Sequence, residues 1–436
     1  MAKRFVKPFA AALAGLMLAL CLVACNDGED KPDTPDKTQG FTPSLDTETA
    51  CTIRIAGHYS NFEALEAEFD RFNKFYPNVE LVYTCLDNYN GVILTALGGA
   101  EAPDIFFTFP MMIEREDLQS IFAVTEDLSD PALGIDLDCL RPGLIYRDKS
   151  GAVPMVPIYC TTYGMLVNED IFAKENIPVP TTYAELISAC EALQKAGYES
   201  PVMGYNKGNF LTFPLFYPYF CADILGNRTA VDELNSMDPA AGRYMRSALE
   251  LVADFMGHGF IDLEACNALE NDYNAVIMRF FEGDVPLMLA TGNTVSGTEK
   301  REAQSEAYTA SPFAYSFYPV PSTAGGGYFV NVVSMSFSVN KNSANLDMAN
   351  EFMRFLVSTE ELGMITRSKR MVTPAIDMSL DVVYAAFGQL PESHIIYVSD
   401  LGLTDAADSQ VRRAGWQVSN GILSVEEAIA AYGTLE

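Results

Sequence analysis

Strand-like and helix-like segments alternate from the first folded stretch onward, and this alternation limits the fold more than any other feature of the chain. Residues 52–55 read as a short strand broken by Gly57. Apolar residues then recur at Phe62, Leu65, Phe69, Phe72 and Tyr76, a helical stripe that Pro77 stops. A second strand is expected over 79–84, a helix over 92–97 ending at Gly98-Gly99, and a third strand over 104–107. Three strands joined by two helices in about sixty residues predict a parallel sheet with helices packed on its faces.

The alternation continues. Residues 151–157 and 164–167 read as strands joined by 158–163. Thr182-x-x-Glu185 is a capping box ahead of Leu186, Ala189, Cys190 and Leu193, a helix that Gly197 closes. Further helices are expected over 244–257 and around Leu346, Ala349, Met353 and Leu356, with a strand over 283–289. Ser358-x-x-Glu361 and Ser424-x-x-Glu427 are two more capping boxes. No internal repeat at a fixed period is visible.

The N-terminus reads as an address. Lys3, Arg4 and Lys7 precede an uncharged run over 9–24, too short for the ~20 residues of a membrane-spanning helix. The run ends in Leu22-Val23-Ala24-Cys25, which resembles a bacterial lipobox, with 1–24 as signal peptide and Cys25 as the acylated residue. Cys21 is the poorer alternative, because bulky Leu20 precedes it. Residues 25–49 are rich in Asp, Glu, Thr, Pro and Lys and are expected to form a flexible tether. Two acyl chains anchor stably where one is marginal, so the folded body is expected on the outer face of the cytoplasmic membrane.

Charge and rare residues exclude several functions. Asp and Glu number 58 against 28 Lys and Arg, for a formal charge of −30, which repels phosphate backbones and excludes a general nucleic-acid binder. Three histidines leave little for a multi-His metal centre. Beyond Cys21 and Cys25, seven scattered cysteines without a C-x-x-C pair argue against zinc and against a disulfide framework. One bridge between Cys51 and Cys85 stays open. No G-x-S-x-G, H-E-x-x-H, P-loop or dinucleotide fingerprint occurs, so neither a catalytic apparatus nor a cofactor is expected.

Five stretches in order resemble the family 1 extracellular solute-binding proteins, the maltose-binding-like lipoprotein receptors of ATP-binding cassette importers. They are Gly98-Gly99 with Pro103-Asp104-Ile105; Gly151 to Pro157 running into Asn168-Glu169-Asp170-Ile171-Phe172; Pro180-Thr181-Thr182-Tyr183 with Glu185-Leu186; Phe281-Glu282-Gly283 with Met288; and Asn420-Gly421 with Ser424, Glu426 and Glu427. The resemblance covers roughly 50–436. Val167 and Tyr183 depart from the family pattern, and Thr294 stands where a sugar-stacking Trp often follows.

The resemblance implies an α/β fold of the two-lobed periplasmic-binding-protein type (type II), each lobe a sheet flanked by helices, with a ligand cleft between them. Mapped onto this chain, lobe one takes 46–161 and 290–358, and lobe two takes 162–289 and 359–436. It further implies a monomer that captures a small molecule, an oligosaccharide first of all, and delivers it to the importer's transmembrane subunits. The alternative is a secreted hydrolase or adhesin on the same body.

Cleft residues are expected at strand ends and on the loops facing the gap. His58 and Tyr59 follow the first strand, with His58 either a hydrogen-bond donor or an ordinary loop residue. Phe109 follows the third strand and offers either a stacking face or a core ring. Tyr159 and Tyr163 flank the first crossing between lobes, each joining an apolar face to a hydroxyl. Asn209 and Phe210 resemble the family segment whose first aromatic stacks on sugar. Thr291, Asn293, Tyr328 and Asn331 are expected hydrogen-bond partners, and Trp416 is expected in the core.

Overall fold

The computed structural model describes residues 40–435 apart from 61, 114, 116, 207–210, 270–272, 323–325 and 378. The signal peptide and Cys25 therefore lie outside the described residues, as do Asn209 and Phe210. In chain order the elements begin with β1 (Cys51–Gly57), α1 (Glu63–Phe72), β2 (Val79–Cys85), α2 (Tyr89–Leu97) and β3 (Ile105–Thr108). A run of short 3₁₀ turns leads to β4 (Val156–Thr161), β5 (Tyr163–Asn168), α3 (Glu169–Lys174), α4 (Tyr183–Lys195) and β6 (Val202–Gly204). Helices α5 (Phe213–Ile224), α6 (Arg228–Asn235), α7 (Arg246–Gly257), α8 (Leu263–Ala268) and α9 (Tyr273–Phe280) precede β7 (Leu287–Thr291). Then come α10 (Gly292–Val295), α11 (Thr298–Gln304), α12 (Glu306–Ala310), β8 (Tyr315–Tyr318), β9 (Phe329–Val339), α13 (Leu346–Leu356) and α14 (Thr359–Arg367). The chain closes with β10 (Ile395–Tyr397), α15 (Val398–Leu401), α16 (Asp405–Ser419) and α17 (Val425–Ala430).

Two sheets result. The first runs β10-β9-β3-β1-β2, with β4 also on β9. Its β1, β2 and β3 are parallel, as the opening alternation predicts, whereas β3 and β4 pair antiparallel with β9. The second runs β6-β7-β5-β8, with β6 parallel to β7 and β5 antiparallel to both its neighbours. Helices cover each sheet because their apolar stripes need a partner surface. Leu65, Phe69 and Phe72 of α1 meet Phe352 and Met353 of α13 and Leu362 and Ile365 of α14 over the first sheet. Residues of α4, α5, α7 and α16 build a second core on the other sheet. A third apolar cluster, with Phe280, Phe317, Val372 and Tyr384, lies between Cys160 of β4 and Leu166 of β5.

Several expectations need correction. The strand expected over 151–157 lies instead at Val156–Thr161, buried along its whole length. That puts most of the expected linking segment inside the sheet. Residues 290–358 do not stay together, since β8 pairs with β5 in the second sheet while the latter half of β9 pairs with β3 in the first. Likewise α14, expected with the second lobe, packs with the first core through Leu362 and Ile365. Cys51 is in register with Val79 and Cys85 with Gly57, opposite ends of one parallel pair. Six rungs at about 3.3 Å separate them, far beyond disulfide reach, and both thiols are free.

The expected tether also ends earlier than 49. Phe41 packs against Phe75 and Phe355, at 5.1 and 5.2 Å between ring centroids, under the Arg354 guanidinium at 4.4 Å. Ser44 donates from its N–H and its hydroxyl to Glu351, at 2.8 and 2.7 Å. Tyr76 donates to the same carboxylate at 2.5 Å and accepts from the Leu45 N–H at 3.2 Å. Phe41 and Leu45 against the first core, together with the polar contacts to Glu351 and Arg354, fasten this stretch.

Candidate functional site

In open α/β sheets, ligands sit beyond the carboxyl ends of parallel strands. For the first sheet those ends are Gly57, Cys85 and Thr108. For the second they are Gly204 and Thr291, and Tyr163 opens β5 directly beside Thr291. The two sets meet at a contact between lobes, where the Ser334 hydroxyl of β9 donates to Asn293 Oδ1 of α10 at 3.0 Å. Three stretches cross here: Thr162 between β4 and β5, strand β9, and residues 368–372. The last is held by paired main-chain bonds between Val372 and Cys160, at 2.8 and 3.1 Å.

Beyond β1 and β3 the expected residues assemble into an aromatic wall. The exposed His58 ring lies 4.4 Å from Tyr59, 5.5 Å from Phe109 and 5.6 Å from Phe107, between ring centroids. Gly57 permits this, because a Cβ there would meet the Phe107 ring at 2.4 Å. Tyr59 is fixed through its backbone, which exchanges hydrogen bonds with the Tyr83 hydroxyl at 3.1 and 3.0 Å. The rings packed around His58 desolvate part of it and lower its pKa, favouring the neutral ring that both donates and accepts. Burial raises the Tyr59 hydroxyl to about 12, so it stays a donor.

Adjacent residues on the 368–372 crossing reach opposite ways. The Lys369 ammonium sits 5.6 Å from the centroids of both Tyr59 and Phe62, and burial lowers its pKa. Arg370, in the left-handed region at φ 48°, donates to Thr298, Glu302 and Tyr315 at 2.9, 2.8 and 2.7 Å. Neither residue carries a signal in sequence spacing.

Other expected residues do not line the gap. Tyr159 is wholly buried in the first core, 6.0 Å from Phe62, because its strand is covered on both faces. Tyr163 is buried against Phe213 and Tyr217, at 4.9 and 5.6 Å. Tyr328, just before β9, packs tilted against His394 at 4.9 Å between ring centroids, six residues or about 20 Å of extended chain from Ser334. Asn331 is fully buried, and neither amide atom has a partner among the described residues. Thr291 is buried at the end of β7, close to the Tyr273 hydroxyl. Thr294, at the position of the missing Trp, is buried and bonds that same hydroxyl at 2.7 Å.

Of the expected residues, His58, Tyr59 and Phe109 thus lie together beyond the first sheet, and Asn293 lies beyond β7 of the second, against Ser334 of β9. Trp416, expected in the core, is half-buried and belongs to none of the three apolar clusters. A surface depression of about 300 Å³ beside Asn168, Lys174 and Phe313 lies at the far end of β5 from Tyr163. It is away from the gap. Among the described residues, no group of three or more His, Cys, Asp or Glu is placed to hold a metal ion. No described helix is long and apolar enough to cross a membrane.

The family model of bacterial extracellular solute-binding proteins matches residues 56–362. The chain belongs to this family. The match runs from the end of β1 into α14 and takes in strands of both sheets, β2 to β9. Among solved solute-binding structures, RafE in complex with raffinose superposes with a TM-score of 0.67 at 17% identity, over 88% of this chain and 98% of that one. A chitin oligosaccharide binding protein gives 0.65 at 14% identity, covering 88% and 97%. A sugar transporter protein from Bacillus licheniformis in complex with stachyose gives 0.60 at 15%, covering 88% and 100%. At such identities the likeness shows the fold. No curated protein sequence matches the chain.

Proposed function

We propose that this solute-binding protein captures an oligosaccharide outside the cytoplasmic membrane and passes it to an ATP-binding cassette importer. The observation that carries the reading is the wall of His58, Tyr59 and Phe109 beyond the first sheet. Flat apolar faces suit the C–H faces of pyranose rings, and ring nitrogens, hydroxyls and amides suit their hydroxyl groups. Relatives of this architecture crystallised with raffinose and stachyose support the ligand class. Binding is reversible and leaves the sugar intact.

Calorimetric titration with raffinose, stachyose, chito- and xylo-oligosaccharides tests this directly. A cognate sugar at one hundred times its Kd should add about 2.7 kcal/mol to folding stability, and chromatography should recover it uncleaved. Binding of amino acids or polyamines with indifference to every sugar would remove the assignment. Cleavage products would remove the non-catalytic part of it. Cys25 serves as the lipid anchor in this reading, so Cys25→Ala should release the protein from the membrane fraction or block its maturation. A processed variant still retained on membranes contradicts the anchor.

A further inference from the structure

We propose that the face of α16 bearing Arg412, Trp416 and Asn420 is the second lobe's wall of the sugar site, with the Trp416 indole as its stacking plane. The proposal rests on the saccharide reading above and assigns the residue that faces the first lobe's aromatic wall. It starts from an anomaly. The chain has a single tryptophan, and the structure leaves it half-buried on a helix whose neighbours Val411, Ala414, Gly415 and Val418 are buried. Gly415 explains the docking of α16 on α5, since a Cβ there would meet the Phe216 ring at 2.2 Å. Trp416, one residue on and about 100° around the helix, is turned away from that contact. Among the described residues it joins no apolar cluster.

Its neighbours one turn either side fix where this face looks, because i and i+4 share a helix face. Four residues earlier, the Arg412 guanidinium lies 4.6 Å from the Phe213 centroid and 5.3 Å from that of Tyr217. It is held by Asp408 at 2.6 Å and interacts with the hydroxyl of Tyr163, the residue that opens β5. Four residues later, Asn420 Oδ1 accepts from Asn206 Nδ2 at 2.7 Å. Asn206 follows the end of β6 and also donates to Asn267 Oδ1 at 3.0 Å. Arg412 thus lies beside the residue that opens β5 and Asn420 beside Asn206, which follows β6. The Trp416 position falls between them, at the end of the sheet where parallel strands direct their ligands.

The chemistry of the face fits a saccharide. An indole offers a broad apolar plane and one N–H donor, and the buried Asn206 amide, whose Nδ2 is spent on Asn267 and Asn420, holds those two amides in place beside it. Thr294 cannot supply such a plane. It is small, buried and engaged with Tyr273.

A single tryptophan makes the test direct. The full-length protein is titrated with the same sugars by calorimetry and by tryptophan emission, alongside Trp416→Phe and Trp416→Ala. The sugar that produces heat should shift the emission. Trp416→Ala should weaken its binding about ten-fold or more, the loss expected for an aromatic face removed from a buried contact, and Trp416→Phe should weaken it less. Melting curves without ligand accompany each variant, and Trp416→Phe keeps a ring in place should the alanine variant fold poorly. Calorimetric binding with unshifted emission, or with unchanged Kd in both variants, overturns the assignment of Trp416 and leaves the saccharide reading standing. Absence of heat with every sugar overturns the saccharide reading, and this proposal with it.

Discussion

At the scale of single residues, Glu351 carries the most structure per side chain. It sits on α13, in a segment whose sequence signals only a helix, yet its carboxylate takes Ser44, Tyr76 and Arg354 at once. Burial alone would raise its pKa, but these donors outweigh burial and bring it down to about 2. The folded value is below the unfolded one, so the stabilisation is complete above about pH 4.5 and is lost as pH falls towards 2. Glu351→Ala should cost about 3 kcal/mol at pH 7, the order expected when a buried ion pair loses one partner. Urea melts at pH 7 and pH 3 check this, since the gap between variant and parent should narrow in acid. An equal gap at both would contradict the clamp. This residue was not legible in the sequence, because its partners lie up to 307 positions away. Glu361 carries the same lesson. Ser358 accepts from the Glu361 N–H at 3.2 Å as the motif predicts, but the carboxylate turns to Arg71 at 2.8 Å.

At the scale of elements, the sequence was most informative where a mechanism is local. Thr182 and Glu185 form the full reciprocal capping box, as do Ser424 and Glu427. Gly197 ends α4 at φ 105°, a conformation that L side chains rarely adopt. The stripes on α1 and α13 followed from periodicity alone. Strand β4 did not, because a strand buried on both faces loses the alternation that marks its limits. That error placed Tyr159 and Tyr163 at a gap they do not reach. Thr182→Ala removes one side of the box and should cost about 1 kcal/mol, read as a lower urea midpoint with an unchanged slope. No shift would mean that packing against the second core alone fixes the start of α4.

At the scale of the whole molecule, the opening order of strands and helices was legible and the division of the chain was not. The capping box marks the start of α14 but not which core the helix joins, and no local pattern marked β8 at all, since both are decided by contacts distant in sequence. Strand β9 shows what depends on such contacts. Its first residues pair with β10 and pack in the clusters of the second lobe, and its last residues pair with β3 in the first sheet. Along the middle and end it is also bonded to β4. Melting either half of the protein therefore strips hydrogen bonds from a strand that the other half needs. Two lobes built this way share one unfolding event, and scanning calorimetry of the ligand-free protein should give a single peak whose calorimetric and van't Hoff enthalpies agree. Two resolved peaks would mean that β9 frays at the crossing and each half melts alone. Because one strand is common to both lobes, a sugar bound between them should raise the melting of the entire chain and not of one half.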